Sequence, residues 1–163
     1  MLPSHTYLDY LHLPYTIATF PPSTPKGAAN VADILGLRAH QTVKTLIFKT
    51  DSGEYMLIML SADLNVVSGQ LKKAVGSRNV QLASPEEVIN ITGYQIGSIP
   101  PFSWQPQGFR SFVDRELLDD DILAVGAGVW GNEILITPLN LIKASLAAVV
   151  NLTNRDQPVF PPT

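Results

Sequence analysis

The stretch "HQTVKTLIFKTDSGEYMLIMLS", His40 to Ser61, decides the fold. It holds two apolar runs, Val43–Thr50 and Tyr55–Ser61, separated by Asp51, Ser52 and Gly53. Both runs read as strands, and the Asp-Ser-Gly between them reads as a hairpin turn. Period-two alternation sets Lys44 on one face with Leu46 and Phe48, and sets Val43, Thr45, Ile47 and Lys49 on the other. A lysine in line with Leu and Phe points toward an apolar interior or a cleft. Either its stem packs inward and its ammonium snorkels out at the strand end, or the ammonium serves a ligand.

Helix signals flank the hairpin. Ser4 is placed to cap a helix through about His12, with Tyr7, Leu8 and Leu11 as its apolar stripe. "PYTIATF" follows as a strand. Thr24 as cap and Pro25 at the first position predict a helix carrying Ala28, Ala29, Val31, Ala32 and Leu35, ended by Gly36. Beyond the hairpin a helix is expected over about Val66–Val75 and a short strand at "NVQLA". A capping box with Ser84, Pro85 and Glu87 starts the next helix, which Gly93 stops. A long ordered loop, "GYQIGSIPPFSWQPQG", leads to strands in "FRSFVD", "DILAVGAG" and "NEILIT". Thr137 and Pro138 begin a last helix through about Val149. Strands repeatedly adjoin strands, so the chain reads as α+β, a single domain with a central mixed sheet flanked by helices. The domain is set at residues 1–150, with 151–163 as a frayed tail.

The chain has 163 residues, one domain's worth, with 45% hydrophobic and only 15% charged residues. A domain of this size buries roughly 70% of the surface its unfolded chain exposes, so it needs no covalent staples. The absence of cysteine excludes disulfides, thiolate metal sites and a cysteine nucleophile. A net charge of -3 argues against a broadly basic nucleic-acid binder. A local basic supply remains in Arg38, Lys44, Lys49, Lys72, Lys73 and Arg78. No apolar run approaches membrane-span length and the N-terminus lacks signal-peptide character, so a cytoplasmic protein without membrane contact is expected.

Familiar catalytic spacings are absent: no P-loop, no GxGxxG, no GxSxG, no HxxxH. His5 and His12 read as solvent-facing residues near a terminus, and His40 as a loop residue. The acidic run Asp114–Asp121 reads as a solvated turn. Trp104 and Trp130 read as lid or rim residues, or as stacking platforms for a base. Two features hold chemical interest: Lys44, and the stretch "GSIPP" from Gly97 to Pro101. Gly97 permits unusual backbone angles, and the two prolines stiffen the end of the stretch. The loop is either a plain tight turn or a rigid set of amide donors for a carbonyl or carboxylate.

"AANVADILGL…TVKTLIFK", "LKKAVGSRNVQLASPEEVINITGYQIGSIPPF", "FVD" and "AVGAGVWGNEI…TPLNLIKA" succeed one another in an order that resembles the YbaK/EbsC family. This family includes the editing (insertion) domain of bacterial prolyl-tRNA synthetase. The resemblance runs from about Tyr7 to Ala144. It implies an α+β aminoacyl-tRNA deacylase acting in trans on a mischarged tRNA bearing a small amino acid such as Cys, Ala, Ser or Pro. It implies no cofactor and no metal. Its partners would be the acceptor end of tRNA and an aminoacyl-tRNA synthetase. Lys44 falls on the family's signature lysine, Gly97 and Pro101 on its GxxxP loop, and Gly128 and Gly131 on its later glycines. Lys44 and Gly97 are thereby expected to act in catalysis. Phe20, Ser98, Ile99, Pro100, Pro101, Gly126 and Gly128 are expected to contact substrate. Lys44 would hold the terminal phosphate or ribose, and the loop amides the acyl group and its oxyanion. Gly126 stands where relatives specific for cysteinyl-tRNA have serine, and Phe20 where they have tyrosine. The glycine is expected to enlarge or rearrange the pocket. A non-catalytic homologue serving a synthetase is the rival reading.

Overall fold

The computed structural model describes residues 1–154. In chain order its elements are α1 (Pro3–Tyr10), β1 (Thr16–Thr19), α2 (Ala28–Leu35), β2 (Val43–Thr50), β3 (Tyr55–Ser61), α3 (Ser68–Val75), β4 (Val80–Leu82), α4 (Pro85–Thr92), β5 (Arg110–Asp114), β6 (Leu123–Gly126), β7 (Asn132–Ile136), α5 (Pro138–Ser145) and β8 (Ala148–Val150). Short 3-10 turns lie at Ala39–Gln41 and Arg115–Asp119.

The hairpin forms as its spacing predicts, with Lys44 opposite Leu60 and Phe48 opposite Met56. It is the centre of a mixed five-stranded sheet in the order β4-β2-β3-β5-β8. β2 and β4 pair antiparallel, whereas β3–β5 and β5–β8 are parallel. Beyond the expected mixed sheet, β1, β7 and β6 make a separate antiparallel sheet. A single bridge between Thr42 and Ala124 joins the two.

The two faces of the hairpin feed two cores. Val43, Ile47, Leu57 and Met59 pack with Phe102, Leu117, Val125 and Ile134. Met56, Ile58 and Leu60 pack with Leu71 and Val75 of α3, with Leu46 and Phe48 at the margin. β3 is buried on both faces, which is why it reads as an unbroken apolar run. Ser84 and Glu87 form the reciprocal cap of α4 that the sequence announces.

Several local expectations are corrected. α1 starts at Pro3, and Ser4 lies inside it, donating its hydroxyl to the Ala127 carbonyl at 2.6 Å. His5 is buried, not solvent-facing: Nδ1 accepts the Leu2 N–H and the ring stacks on Tyr15. α2 begins after Gly27, because the Asn30 amide turns back to the Pro25 and Lys26 carbonyls and closes that turn ahead of the helix. α5 ends at Ser145, with Leu146 in the left-handed region, and Ala148–Val150 joins β5 as a strand. Pairing with a waiting sheet edge outweighs continuation of the helix there. The acidic run is not simply solvated. Asp114 is fully buried, accepting the Leu152 N–H and the Thr153 hydroxyl, and Asp120 is buried against Arg38. Leu152 is also fully buried, and its carbonyl accepts the Val67 N–H. The remainder of the expected tail, residues 155–163, lies outside the described residues.

Candidate functional site

β4 covers β2 only along Phe48–Thr50. Ahead of it, the Ile47 carbonyl still accepts the Ala83 N–H at 2.9 Å. Backbone polar groups alternate sides along a strand, so Thr45 turns its own toward the same edge, between the part that β4 covers and the Thr42–Ala124 bridge to β6. This gap in the sheet opens on a cavity of about 120 Å³. Lys44, Thr45 and Leu46 form one wall, and Val31 of α2 another. Gly97 and Ile99 of the loop, Gly126 of β6 and Glu133 of β7 complete it.

Lys44 is half-buried at the end of its face, and its ammonium donates to the Leu64 carbonyl. Burial lowers its pKa, and the nearby Asp63 carboxylate partly offsets this. An ammonium has three donors, so one bond to Leu64 leaves two. His40 does not face this wall; its Nδ1 lies 3.2 Å from an Asp63 carboxylate oxygen.

The loop opposite is fixed at both ends. Gly97 has φ of 92°, in the region that favours glycine. The Ser98 N–H is spent on the Gln95 carbonyl, and the Pro100 carbonyl accepts the Trp104 indole N–H at 2.5 Å. The Pro101 carbonyl accepts the Gln105 side-chain amide at 2.8 Å. The Gly97 and Ile99 N–H groups have no intramolecular acceptor among the described residues. Such amides are available to a carbonyl oxygen or an oxyanion.

Gly126 does not enlarge the cavity. A Cβ there would lie 3.2 Å from the Ile99 carbonyl oxygen and 3.3 Å from the Ser98 carbonyl carbon. The space beside this glycine is filled by the backbone of the loop. Gly128 has φ of 112°, and a Cβ would meet the Tyr94 ring at 2.7 Å. It seats that ring and is not part of the wall. Phe20 is buried, edge-on to Trp130 at 4.9 Å, and also off the wall. Ser98, Pro100 and Pro101 of the loop are buried and do not line the cavity. The cavity thus brings together Lys44, Gly97, Ile99 and Gly126, and leaves Phe20, Ser98, Pro100, Pro101 and Gly128 outside its lining. Trp130 donates its indole N–H to the Thr24 carbonyl, with the Lys26 ammonium 4.5 Å from its ring centroid.

Glu133 escaped the sequence reading. It stands on β7 opposite both Gly126 and Ala18 and is only 7% exposed. Its carboxyl has no hydrogen-bond or ion-pair partner among the described residues, and burial pushes its pKa up to about 8. The available signal was the one that exposed Lys44: a charged residue inside the apolar strand "NEILI". No group of three His, Asp or Glu among the described residues could hold a metal ion, and no described helix is long and apolar enough to cross a membrane.

Residues 24–144 match the profile of the aminoacyl-tRNA editing domain. Proline--tRNA ligase of Staphylococcus aureus (strain Newman) is 32% identical over 110 residues, which are 68% of this chain and 19% of that enzyme. The chain therefore spans about a fifth of the length of the curated relatives it matches. Among solved structures, a protein described as a candidate trans-editing enzyme for prolyl tRNA synthetase superposes with a TM-score of 0.83 at 26% identity, covering 94% of this chain and 96% of that one. A hypothetical protein superposes with a TM-score of 0.85 at 25% identity, covering 93% and 99%. The family profile covers residues 24–144, about three quarters of the sequence, and the chain belongs to the aminoacyl-tRNA editing domain family.

Proposed function

We propose that this protein hydrolyses, in trans, the ester of a tRNA mischarged with a small amino acid. The observation that carries the reading is the cavity itself: a half-buried lysine and two residues with unengaged backbone amides line a space of about 120 Å³. That space suits a small acyl group, and nothing on its wall supplies a serine, cysteine or histidine nucleophile.

In this mechanism the acyl group enters the cavity and its carbonyl oxygen meets the Gly97 and Ile99 N–H groups. Water, or a group of the substrate, adds to the carbonyl carbon, and the resulting oxyanion is held by those amides. The bond from carbon to the ribose oxygen then breaks and that oxygen takes a proton, releasing the amino acid and free tRNA. Amides fixed by the glycine and the two prolines need no reorganisation as charge develops, a contribution of about 3 kcal/mol per donor in well-built oxyanion holes. The two donors left on Lys44 serve the terminal phosphate or ribose and orient the ester. A synthetase would deliver the tRNA, in keeping with the prolyl-tRNA synthetase relatives.

The test is hydrolysis of Cys-, Ala-, Ser- and Pro-tRNA by purified protein and by Lys44→Ala. The reading expects at least one substrate to be cleared by the wild type and its kcat/KM to fall at least about tenfold in the variant. No clearance of any substrate would leave a binding module. Clearance unchanged in Lys44→Ala would remove the lysine from the mechanism.

A further inference from the structure

Most of the cavity wall is apolar, supplied by residues such as Ala28, Val31, Leu46 and Ile99. Besides Lys44, two polar side chains interrupt it. Thr45 Oγ1 is buried without a hydrogen-bond partner among the described residues. The Glu133 carboxyl, on a residue only 7% exposed, has no partner among the described residues either, although its oxygens are not wholly closed off from solvent. A buried polar group left unpaired is costly, so folded chains satisfy most of them. A stranded hydroxyl beside a partnerless carboxyl in one small cavity marks a place where something else supplies the missing bonds.

We infer, on the reading that this cavity takes the acyl group, that Thr45 and Glu133 select a small amino acid bearing a side-chain hydroxyl, serine above alanine. A hydroxyl donates one bond and accepts others, so it can satisfy a threonine oxygen and a carboxyl together. Alanine and proline bring no side-chain donor and leave both groups as they are. A thiol is a weak donor and a weak acceptor. A site built to bond a substrate hydroxyl rejects the analogue that lacks it, because its own buried groups are then stranded.

The protonation of Glu133 fits a neutral partner. With its pKa at about 8, the carboxyl enters the complex at neutral pH as an acid, able to donate to a hydroxyl. Binding the substrate's α-ammonium there would first require losing that proton. Ala18 of β1 and Gly126 of β6 stand beside Glu133, and Ala28, Val31, Ile96 and Ile99 face the same space; none of these titrates. Lys44 is the other ionisable residue of the lining, and its ammonium is turned to Leu64.

The experiment compares kcat/KM for Ser-tRNA and Ala-tRNA in the wild type, Thr45→Val, Thr45→Ser, Glu133→Leu and Glu133→Gln. The wild type is expected to prefer serine by about tenfold or more at pH 7. Thr45→Val and Glu133→Leu should each lower seryl hydrolysis more than alanyl and shrink that ratio, whereas Thr45→Ser should keep it. Glu133→Gln, which keeps both a donor and an acceptor on that side chain, should retain the preference. Alanine cleared as fast as serine would overturn the inference while leaving the deacylase reading in place. A ratio that neither Thr45→Val nor Glu133→Leu changes would also overturn it. If no aminoacyl-tRNA is cleared, the deacylase reading fails separately. Binding of non-hydrolysable seryl and alanyl 3′-amide adenosines then decides: about tenfold tighter seryl binding supports the inference, and equal binding overturns it.

Discussion

A methyl group at residue 126 tests the packing that shapes the cavity. In Gly126→Ala the new Cβ would sit 3.2 Å from the Ile99 carbonyl oxygen, and 3.3 and 3.4 Å from the Ser98 carbonyl carbon and oxygen. Relief requires the loop to retreat by a few tenths of an ångström, against the anchors at Trp104 and Gln105. Overpacking of this size costs about 1 kcal/mol, the low end for an inserted methyl. For a chain of this length that lowers Tm by about 2–4 °C. The same retreat carries the Gly97 and Ile99 amides away from the acyl group. A 1 Å misplacement can cost about a hundredfold in rate, so a few tenths should cost about fivefold in kcat/KM. Gly69→Ala on α3 is the control: its Cβ would meet nothing within 4 Å. It should leave hydrolysis unchanged and raise stability by about 0.5 kcal/mol. Thermal denaturation and single-turnover deacylation read both effects. A Gly126→Ala protein matching the wild type in Tm and rate would refute the claim that this glycine seats the loop from Gly97 to Pro101.

Burial of Glu133 makes stability depend on pH. Folded Glu133 keeps its proton to a pKa of about 8, whereas in the unfolded chain it ionises near 4.5. Between those values the folded state binds more protons, so Glu133 costs stability increasingly as pH rises, by at most about 1.4 kcal/mol per pH unit. Urea unfolding of wild type and Glu133→Gln should therefore diverge from pH 5 to pH 8 in favour of the variant, and parallel curves would contradict the burial argument. Gly128→Ala combines φ of 112° with a 2.7 Å approach to Tyr94, and should lose about 2–3 kcal/mol in the same assay. Asp114→Ala removes the acceptor for the Leu152 N–H at 2.9 Å and the Thr153 hydroxyl at 2.7 Å. It should cost about 3 kcal/mol and loosen β8, seen as faster amide exchange at Leu152.

What the sequence disclosed was local and periodic. The hairpin, the capping box at Ser84 and the glycine stop at Gly36 each rest on residues within a few positions of one another, and each formed as read. Pairings set by distant chain were not legible. Val149 continued a helical pattern until β5 offered it an edge. Asp114 looked solvated because its partners, Leu152 and Thr153, lie nearly forty residues on. The site divides the same way. Lys44 announced itself as a charge inside an apolar strand, and the loop from Gly97 announced itself by glycine and proline. Gly126 was visible, but its role was not, because that role depends on which backbone lies against it. Glu133 carried the same signal as Lys44 and became meaningful only when β7 was seen beside β6 and across the cavity from β2.

The central claim is that the cavity beside the open edge of β2 receives the acyl group of an aminoacyl ester. A structure of the protein with a non-hydrolysable aminoacyl 3′-amide adenosine tests it most directly. The account predicts the acyl group between Lys44 and the loop, its carbonyl oxygen within hydrogen-bond distance of the Gly97 and Ile99 N–H groups. An analogue bound elsewhere on the surface, with this cavity empty at saturation, would contradict it.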